Sequence, residues 1–465
     1  MASFNDIIAA VSTPLGKGGV SVIRMCGEGA LAIAEEVFST ASGKRICDYP
    51  PRFQIYGNIV YMGERLDDVL LTYFRAGSSY TGEETVEISC HGGVLITSNV
   101  LEALLAAGAR PAEAGEFTRR AYVNGRLSLT EAEAIGDLLE AKSRENIRLA
   151  GVDARGRLNE RIDEIRRQLT ELLSSSYARI DYPDEDLGSF DDSDFIAHLE
   201  RILESLESLI KTYRTGKSIS EGVSTVICGK PNVGKSTVYN LLAGEELAIV
   251  TDISGTTRDV LERSVSLGRV MLNLADTAGI HGADMIDEVE RIGIERSMRR
   301  MQAAELIFAV FDISRELDSD DERILKEINE CDAAKIAILN KSDSEVSRLN
   351  ADLFSEGFDA VITVSARNDG QSAIDAIRAT VEGLFTDEKI VTGTDAIVSS
   401  ARQNAKLCAA RELVCSAIEA MRLGIPQDAA SSDIERALAF IAEIDGKAVS
   451  EEVIGDIFSK FCVGK

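Results

Sequence analysis

The chain has 465 residues, 45% of them hydrophobic, with a formal net charge of −27. That length allows about three domains of ~150 residues. No apolar run approaches the ~20 residues that cross a bilayer, the N-terminus lacks the basic start of a signal peptide, and so acidic a surface repels nucleic acid on average. A soluble, cytoplasmic protein is expected, with no membrane partner and with any RNA gripped through a more basic protein. Eight cysteines without Cys-x-x-Cys spacing and three scattered histidines argue against a disulfide framework or a zinc site and for reduced thiols.

Residues 1–122 mix strand and helix patterns. Strands are expected over 18–25, 69–74 and 84–89 and a helix over 94–107, closed by Gly108. This is an α+β domain. From Leu127 to about Arg214 the pattern is helical. Leu129, Ala132, Ile135, Leu138 and Leu139 recur as a buried stripe, and Pro183 among carboxylates marks a corner between two long helices. Residues 216–386 alternate short apolar strands (223–228, 270–275, 306–311, 335–339, 361–364) with helices, which predicts a mostly parallel sheet. Residues 387–465 are helical again. The expected architecture is an α+β multidomain chain: an N-terminal domain over 1–122, one helical domain from 123–215 and 387–465, and an α/β domain inserted over 216–386.

The inserted domain carries five motifs in order. Gly229-Lys230-Pro231-Asn232-Val233-Gly234-Lys235-Ser236 follows a strand and opens a helix, as a phosphate-binding loop requires. Its glycines admit backbone N–H groups to the phosphates, Lys235 meets the β- and γ-phosphates, and the Ser236 hydroxyl ligates Mg²⁺. Gly255-Thr256-Thr257 supplies a second Mg²⁺ ligand in Thr257. Asp276-Thr277-Ala278-Gly279 ends a strand, with Asp276 near Mg²⁺ and the Gly279 N–H sensing the γ-phosphate. Asn340-Lys341-Ser342-Asp343 reads the base: the Asp343 carboxylate accepts from guanine N1–H and the 2-amino group, which adenine does not present there. Ser365-Ala366-Arg367 offers a backbone N–H to guanine O6. All fall at the C-terminal edge of strands, where open α/β sheets bind ligands. The domain is read as a GTP-binding, Ras-like P-loop domain. After Gly279 stands Ile280, where Ras-type proteins place a water-orienting glutamine, so another group must position water. The Asn232 side-chain oxygen can ligate a monovalent cation that neutralises charge at the leaving oxygens.

The flanks extend the reading. The terminal Phe461-Cys462-Val463-Gly464-Lys465, together with Thr13-Pro14-Leu15-Gly16-Lys17-Gly18-Gly19-Val20, Tyr80-Thr81-Gly82-Glu83-Glu84, His91-Gly92-Gly93, Arg110-Pro111-Ala112-Glu113-Ala114-Gly115-Glu116-Phe117-Thr118, residues 129–135 and the Pro183 corner, resembles the tRNA-modification GTPase MnmE (TrmE) family over essentially the whole chain. The resemblance implies an N-terminal domain that binds a tetrahydrofolate derivative (5,10-methylene or 5-formyl) and dimerises. It implies an FAD-containing MnmG-type partner in a heterotetramer or larger, and tRNA bound through that complex. The implied reaction adds an aminomethyl or carboxymethylaminomethyl group to C5 of the wobble uridine, with GTP hydrolysis stimulated by potassium and by dimerisation of the GTP domains.

Carried over residue by residue, the resemblance places folate contacts on Arg24, Glu87, Arg126 and Lys465. Arg126 departs from the lysine often found there. Potassium contacts fall on Asn232, Thr251, Ile253 and Thr256. GTP contacts extend over Val233, Gly234, Lys235, Ser236 and Thr237, over 251–257 including Asp252, Ser254 and Gly255, and over Thr277 and Ala278. Cys462 reads either as a nucleophile or redox group or as a packed residue ordering the tail. The glutamate that the family carries three residues after the Gly279 position is Gly282 here, in a longer stretch; Asp284, or failing it Asp287 or Glu288, is expected to reach the hydrolytic water. Two alternatives stand beside this reading. One is a regulatory switch without part in the chemistry. The other is an RNA- or ribosome-assembly GTPase of the Era or EngA type, which the lack of a basic Gly-x-x-Gly module and of a second GTPase domain disfavours.

Overall fold

The computed structural model describes residues 6–181, 192–244, 263–275 and 301–464. It divides into two compact units, one made of Met1–Gly136 with Ala442–Lys465 and the other of Asp137–Ile441.

In the first unit the chain forms β1 (Ile8–Val11), β2 (Val20–Cys26), α1 (Ala30–Val37), β3 (Phe38–Thr40), β4 (Gln54–Tyr61), β5 (Glu64–Phe74), β6 (Thr85–His91), α2 (Val94–Ala106), β7 (Arg110–Pro111), α3 (Glu116–Val123) and the start of α4 (Leu129–Glu140). The strands make one sheet, ordered β3-β4-β5-β6-β2-β1-β7, antiparallel except for the parallel β1–β7 edge. Alternation along the strands divides the faces. Ile23 and Met25 bury against α1 and α2 in one core, while Arg24, between them, belongs to the other face. There Phe117 packs with Ile8, Ala10, Cys26 and Ala112. The Arg120 side chain is fully buried and donates to Asp6 Oδ1 (2.7 Å), Glu83 Oε2 (3.0 Å) and Glu116 Oε1 (3.1 Å). Carboxylates on both terminal nitrogens offset the cost of burying a guanidinium, and the network fixes α3 to the start of β1 and to the 79–83 loop.

The C-terminal end of the chain joins this unit. Leu129 and Ala132 of α4 bury against Ile454, Ile457 and Phe458, which belong to the terminal helix Glu451–Ser459. The stripe expected to continue through Leu138 and Leu139 does not: both are exposed, because the apolar surface of that short helix covers only the first turns of α4.

The second unit holds α5 (Arg144–Asp153), α6 (Arg157–Asp181) and α7 (Asp192–Ser220), then β8 (Val223–Cys228), α8 (Lys235–Ala243), β9 (Arg263–Leu267), β10 (Val270–Leu274), β11 (Leu306–Asp312), α9 (Ser319–Asn329), β12 (Ala334–Asn340), β13 (Ala360–Val364) and α10 (Gly370–Phe385). The helices α11 (Ala401–Arg422) and α12 (Gln427–Ile444) follow, and the terminal helix completes the order as α13. The second sheet runs β13-β12-β11-β8-β10-β9, parallel except for β9, which returns antiparallel to β10. β9 lies outside the strands expected from the sequence because Arg263-Ser264-Val265-Ser266-Leu267 is half polar. It pairs as an edge strand with only Val265 and Leu267 buried. The expected corner at Pro183 lies outside the described residues. No helix among those described is long and apolar enough to cross a membrane.

Asp153 ends α5 only 6% exposed, and its Oδ1 has no hydrogen-bond partner among the described residues. Burial, reinforced by the charge of Asp137, pushes its carboxyl up to about 8. The unfolded chain releases this proton near pH 4 while the folded chain keeps it to about pH 8. Its stabilising effect is therefore complete below pH 4 and lost as pH rises through 8. Asp153→Asn should match the wild type near pH 4 and exceed it by roughly 2–5 kcal/mol at pH 8. Urea unfolding across that range checks this, and a pH-independent gap between the two proteins would count against it.

Candidate functional site: a nucleotide cradle and an arginine cage

β8 delivers the chain at Cys228 into a loop whose backbone only small or adaptable residues tolerate. Gly229 has φ 136°, Asn232 65° and Gly234 103°. A Cβ on Gly229 would lie 2.3 Å from Val310 O, and one on Gly234 would lie 2.0 Å from Asn340 Nδ2. The loop is thus a backbone cradle that a side chain would fill, which fits a phosphate chain lying against N–H groups at the start of α8. Lys235, first residue of α8, donates from Nζ to Gly229 O and Lys230 O at 2.7 Å each. Burial draws its ammonium below the ordinary lysine range, a cost that a phosphate charge would reverse. Asn232, Ser236 and Thr237 are exposed along the loop and the first turn, while Val233 is buried.

Asn340 ends β12 at 3% exposure and joins the two halves of the site. Its Nδ2 donates to Val233 O (2.9 Å) and its Oδ1 accepts from Ala366 N (2.9 Å). Phosphate loop and base loop are therefore held in register by one side chain whose amide is engaged at both ends. Lys341 sits at φ 66° and donates to Asp312 Oδ2 (2.6 Å) at the end of β11. Although burial opposes it, Lys341 and Ser314 hold the Asp312 carboxyl below the usual carboxylate range. Asp343 is exposed, and its Oδ2 accepts from Asn368 Nδ2 at 2.9 Å. Ser365 N donates to Asp369 Oδ2 (2.6 Å). In the Ser365-Ala366-Arg367 segment, expected to supply a backbone N–H to guanine O6, the amides of Ser365 and Ala366 are thus already paired within the protein.

Several contributors were not singled out from sequence. Asp312 has no local motif. Asn368 and Asp369 directly follow Arg367, and that polar run was the available signal. Lys230, 7% exposed, bonds to Asp318 and to Asp321 Oδ2 (3.0 Å) and so ties the phosphate loop to the capping box of α9. Thr251, Asp252, Ile253, Ser254, Gly255, Thr256, Thr257, Asp276, Thr277, Ala278, Gly279, Asp284 and Lys465 lie outside the described residues, as do Asp287 and Glu288.

The other unit brings a second set together. Arg24 and Glu87 are cross-strand neighbours of β2 and β6. Arg24 Nε and Nη2 both lie 2.8 Å from Glu87 Oε1. The guanidinium carbon stands 5.5 Å from the Tyr80 ring centroid and 5.7 Å from that of Phe117, and the Tyr80 hydroxyl is 3.0 Å from Thr118 Oγ1. A guanidinium held against two aromatic rings and paired to a carboxylate presents a planar cation with a carboxylate beside it, a set of groups that suits a planar, polar-edged ring. Arg126 is exposed and packs its stem on Gly82, where an added Cβ would lie 3.2 Å from Arg126 Cγ.

The tail reaches the same sheet. Val463 bridges Ala114, and Ser12 Oγ donates to Gly464 O at 3.0 Å. A Cβ on Gly464 would fall 2.2 Å from Val11 O. Val11 and Ala10 pair with Ile23 and Arg24, so the tail ends beside the strand that carries the arginine. The Cys462 thiol is exposed while its carbonyl accepts from Gly115 N (3.4 Å). Both the chemical and the tail-ordering roles of this residue are compatible with that placement.

A glycine cradle at the end of a central parallel strand, a lysine opening the next helix and a carboxylate on the base loop define a P-loop GTPase. Residues 7–126 match the family model described as the GTP-binding protein TrmE N-terminus, and residues 129–462 match the MnmE helical domain. The chain is 38% identical over 463 residues to the tRNA modification GTPase MnmE of Clostridioides difficile, covering 99% of each. It is 37% identical to that of Carboxydothermus hydrogenoformans, again over 99% of each chain. The chain belongs to the tRNA modification GTPase MnmE family.

Proposed function

We propose that this chain is the GTP-hydrolysing component of a cytoplasmic tRNA-modifying complex. With an FAD-containing MnmG-type partner it adds an aminomethyl or carboxymethylaminomethyl group to C5 of the wobble uridine. Asn340 carries the GTPase half of the reading. By fixing the phosphate loop to the base loop it sets the span between a triphosphate and a guanine before either arrives, which is how preorganised sites gain affinity. Mg²⁺, on Ser236 and Thr257, would neutralise charge between the β- and γ-phosphates. Potassium, on Asn232, Thr251, Ile253 and Thr256, would do so at the leaving oxygens. Asp284 is the proposed water-positioning group.

The arginine cage supports the folate half. A tetrahydrofolate derivative offers a pterin ring whose N–H edge suits Glu87 and whose face suits the Arg24 guanidinium and the partly exposed Tyr80, with Arg126 and Lys465 available to its carboxylates, while the buried Phe117 backs Arg24 from the core. The N-terminal domain is the proposed dimerisation module.

Arg24→Ala should leave GTP turnover within about twofold of wild type, because Arg24 belongs to a different folding unit. Losing a charge-assisted pair and the cage should weaken folate binding by about 10- to 100-fold and abolish wobble modification in a reconstituted reaction with the partner. Unchanged modification would favour the alternative, a regulatory switch that gates the partner without joining the chemistry.

A further inference from the structure

The β9–β10 hairpin grips both places where the chain crosses between the helical segments and the nucleotide domain. At the outward crossing, α7 ends at Ser220 and β8 begins at Val223. Asn273 Nδ2 donates to Glu221 O there (2.8 Å), its amide held the right way round by Ser264 Oγ (2.9 Å to Oδ1). Gly222, at φ 84°, leaves room for this approach: a Cβ there would sit 2.9 Å from Asn273 Nδ2. At the return crossing, residues 386–400 link α10 to α11. Arg269, in the hairpin turn, donates from Nη2 to Ile390 O (2.7 Å) and from Nη1 to Asp387 O (3.4 Å), and its backbone N–H donates to Glu382 Oε1 (2.7 Å).

The linker is in turn fastened to the helical segments. Asp387 N and Val398 N donate to Thr215 and Thr212 of α7 (3.0 and 2.9 Å), and Thr392 Oγ1 donates to Glu145 of α5 (2.5 Å). At its other end the hairpin continues in sequence into the two stretches expected to meet the nucleotide. β9 follows the stretch that carries Thr257, and β10 ends at Leu274, two positions before Asp276.

We propose that Arg269 is a positioning residue that couples nucleotide state to the helical segments, with the β9–β10 hairpin as its lever. β9 and β10 pair along their whole length and β10 joins β8 only over Leu272–Leu274, so a shift imposed at the nucleotide end is carried along the hairpin to its turn. The planar guanidinium reads that shift because two of its donors must meet two carbonyls at once. The inference rests on the GTP reading above, since without a nucleotide the lever has no load. It adds to that reading a route by which hydrolysis reaches the part of the molecule outside the GTPase domain, and coupling of this kind is reciprocal.

The test is hydrogen–deuterium exchange of residues 387–398 in the full-length protein, bound to GDP or to a non-hydrolysable GTP analogue. Wild type should exchange differently in the two states. Arg269→Ala should lose that difference while GTP hydrolysis stays within about twofold of wild type. Arg269→Lys, which can meet one carbonyl but not both, should keep part of the difference and guards against a misfolded alanine variant. A merely structural arginine would give Arg269→Ala faster exchange in both states with the difference intact, and that result overturns the proposal. So does wild-type exchange that is identical in both states when both nucleotides bind. Failure of wild type to bind GTP at all would instead bring down the underlying reading, and the lever with it.

Discussion

Asp343→Asn is expected to exchange guanine selectivity for xanthine selectivity. In the proposed GTP site the carboxylate would accept from two guanine donors, N1–H and the 2-amino group, and charge-assisted pairs of this geometry are among the stronger hydrogen bonds. An amide at the same place can accept only one and turns an NH₂ toward the 2-amino group. The lost bond and the unsatisfied donors together cost about 3–4 kcal/mol, or roughly 100- to 1000-fold in GTP affinity. Xanthine carries a 2-oxo group, which accepts from the new amide, so XTP should bind at least as well as GTP binds the wild type. The environment favours a clean exchange. Asn368 Nδ2 holds Asp343 Oδ2 at 2.9 Å and, with its own amide turned over, can hold an asparagine there. Competition against a fluorescent nucleotide measures both affinities. Equal losses for GTP and XTP would mean that Asp343 shapes the loop rather than reads the base.

Gly234→Ala should abolish nucleotide binding in a protein that still folds. The residue stands at φ 103°, a region where a side chain costs about 1–2 kcal/mol. The decisive effect is spatial. The new Cβ would fall 2.0 Å from Asn340 Nδ2, so the Asn340 side chain must leave its place. That breaks the bond to Val233 O and with it the bond from Ala366 N, and phosphate loop and base loop lose register together. A GTP affinity lower by more than about 100-fold is expected. Asn340→Ala should reproduce much of that loss without the backbone strain, which separates the two contributions. If Gly234→Ala binds normally, the bridge does not organise the site.

How far the sequence could be read follows from the range of each interaction. The strands β8, β10, β11 and β12 were legible because a largely buried strand is a local apolar run, the edge strand β13 was legible from Val361, Ile362 and Val364 although Thr363 is exposed, and four of the five motifs were legible because each ends such a run. Val223–Cys228 came out with its observed bounds. The bridge made by Asn340 was not legible, since the tetrad identifies the residue but not that both ends of its amide meet the protein backbone. Nor was the buried Arg120, whose three carboxylate partners come from separate stretches of the chain. The expected stripe on α4 failed at Leu138 and Leu139 because periodicity specifies a face but not how far a partner covers it. The packing of the tail against the first sheet depends on positions as small as Gly464, where only the absence of a Cβ makes the approach to Val11 possible.

The potassium dependence of hydrolysis tests the catalytic account most directly. The Ras-type glutamine is Ile280 and the family's glutamate position is Gly282, so the account leans on a cation at the exposed Asn232 and on a substitute carboxylate. GTP turnover by the full-length protein should be compared in potassium and sodium buffers at matched ionic strength. The account predicts strong stimulation by potassium, lost in Asn232→Ala. Equal, slow rates in the two buffers would contradict it.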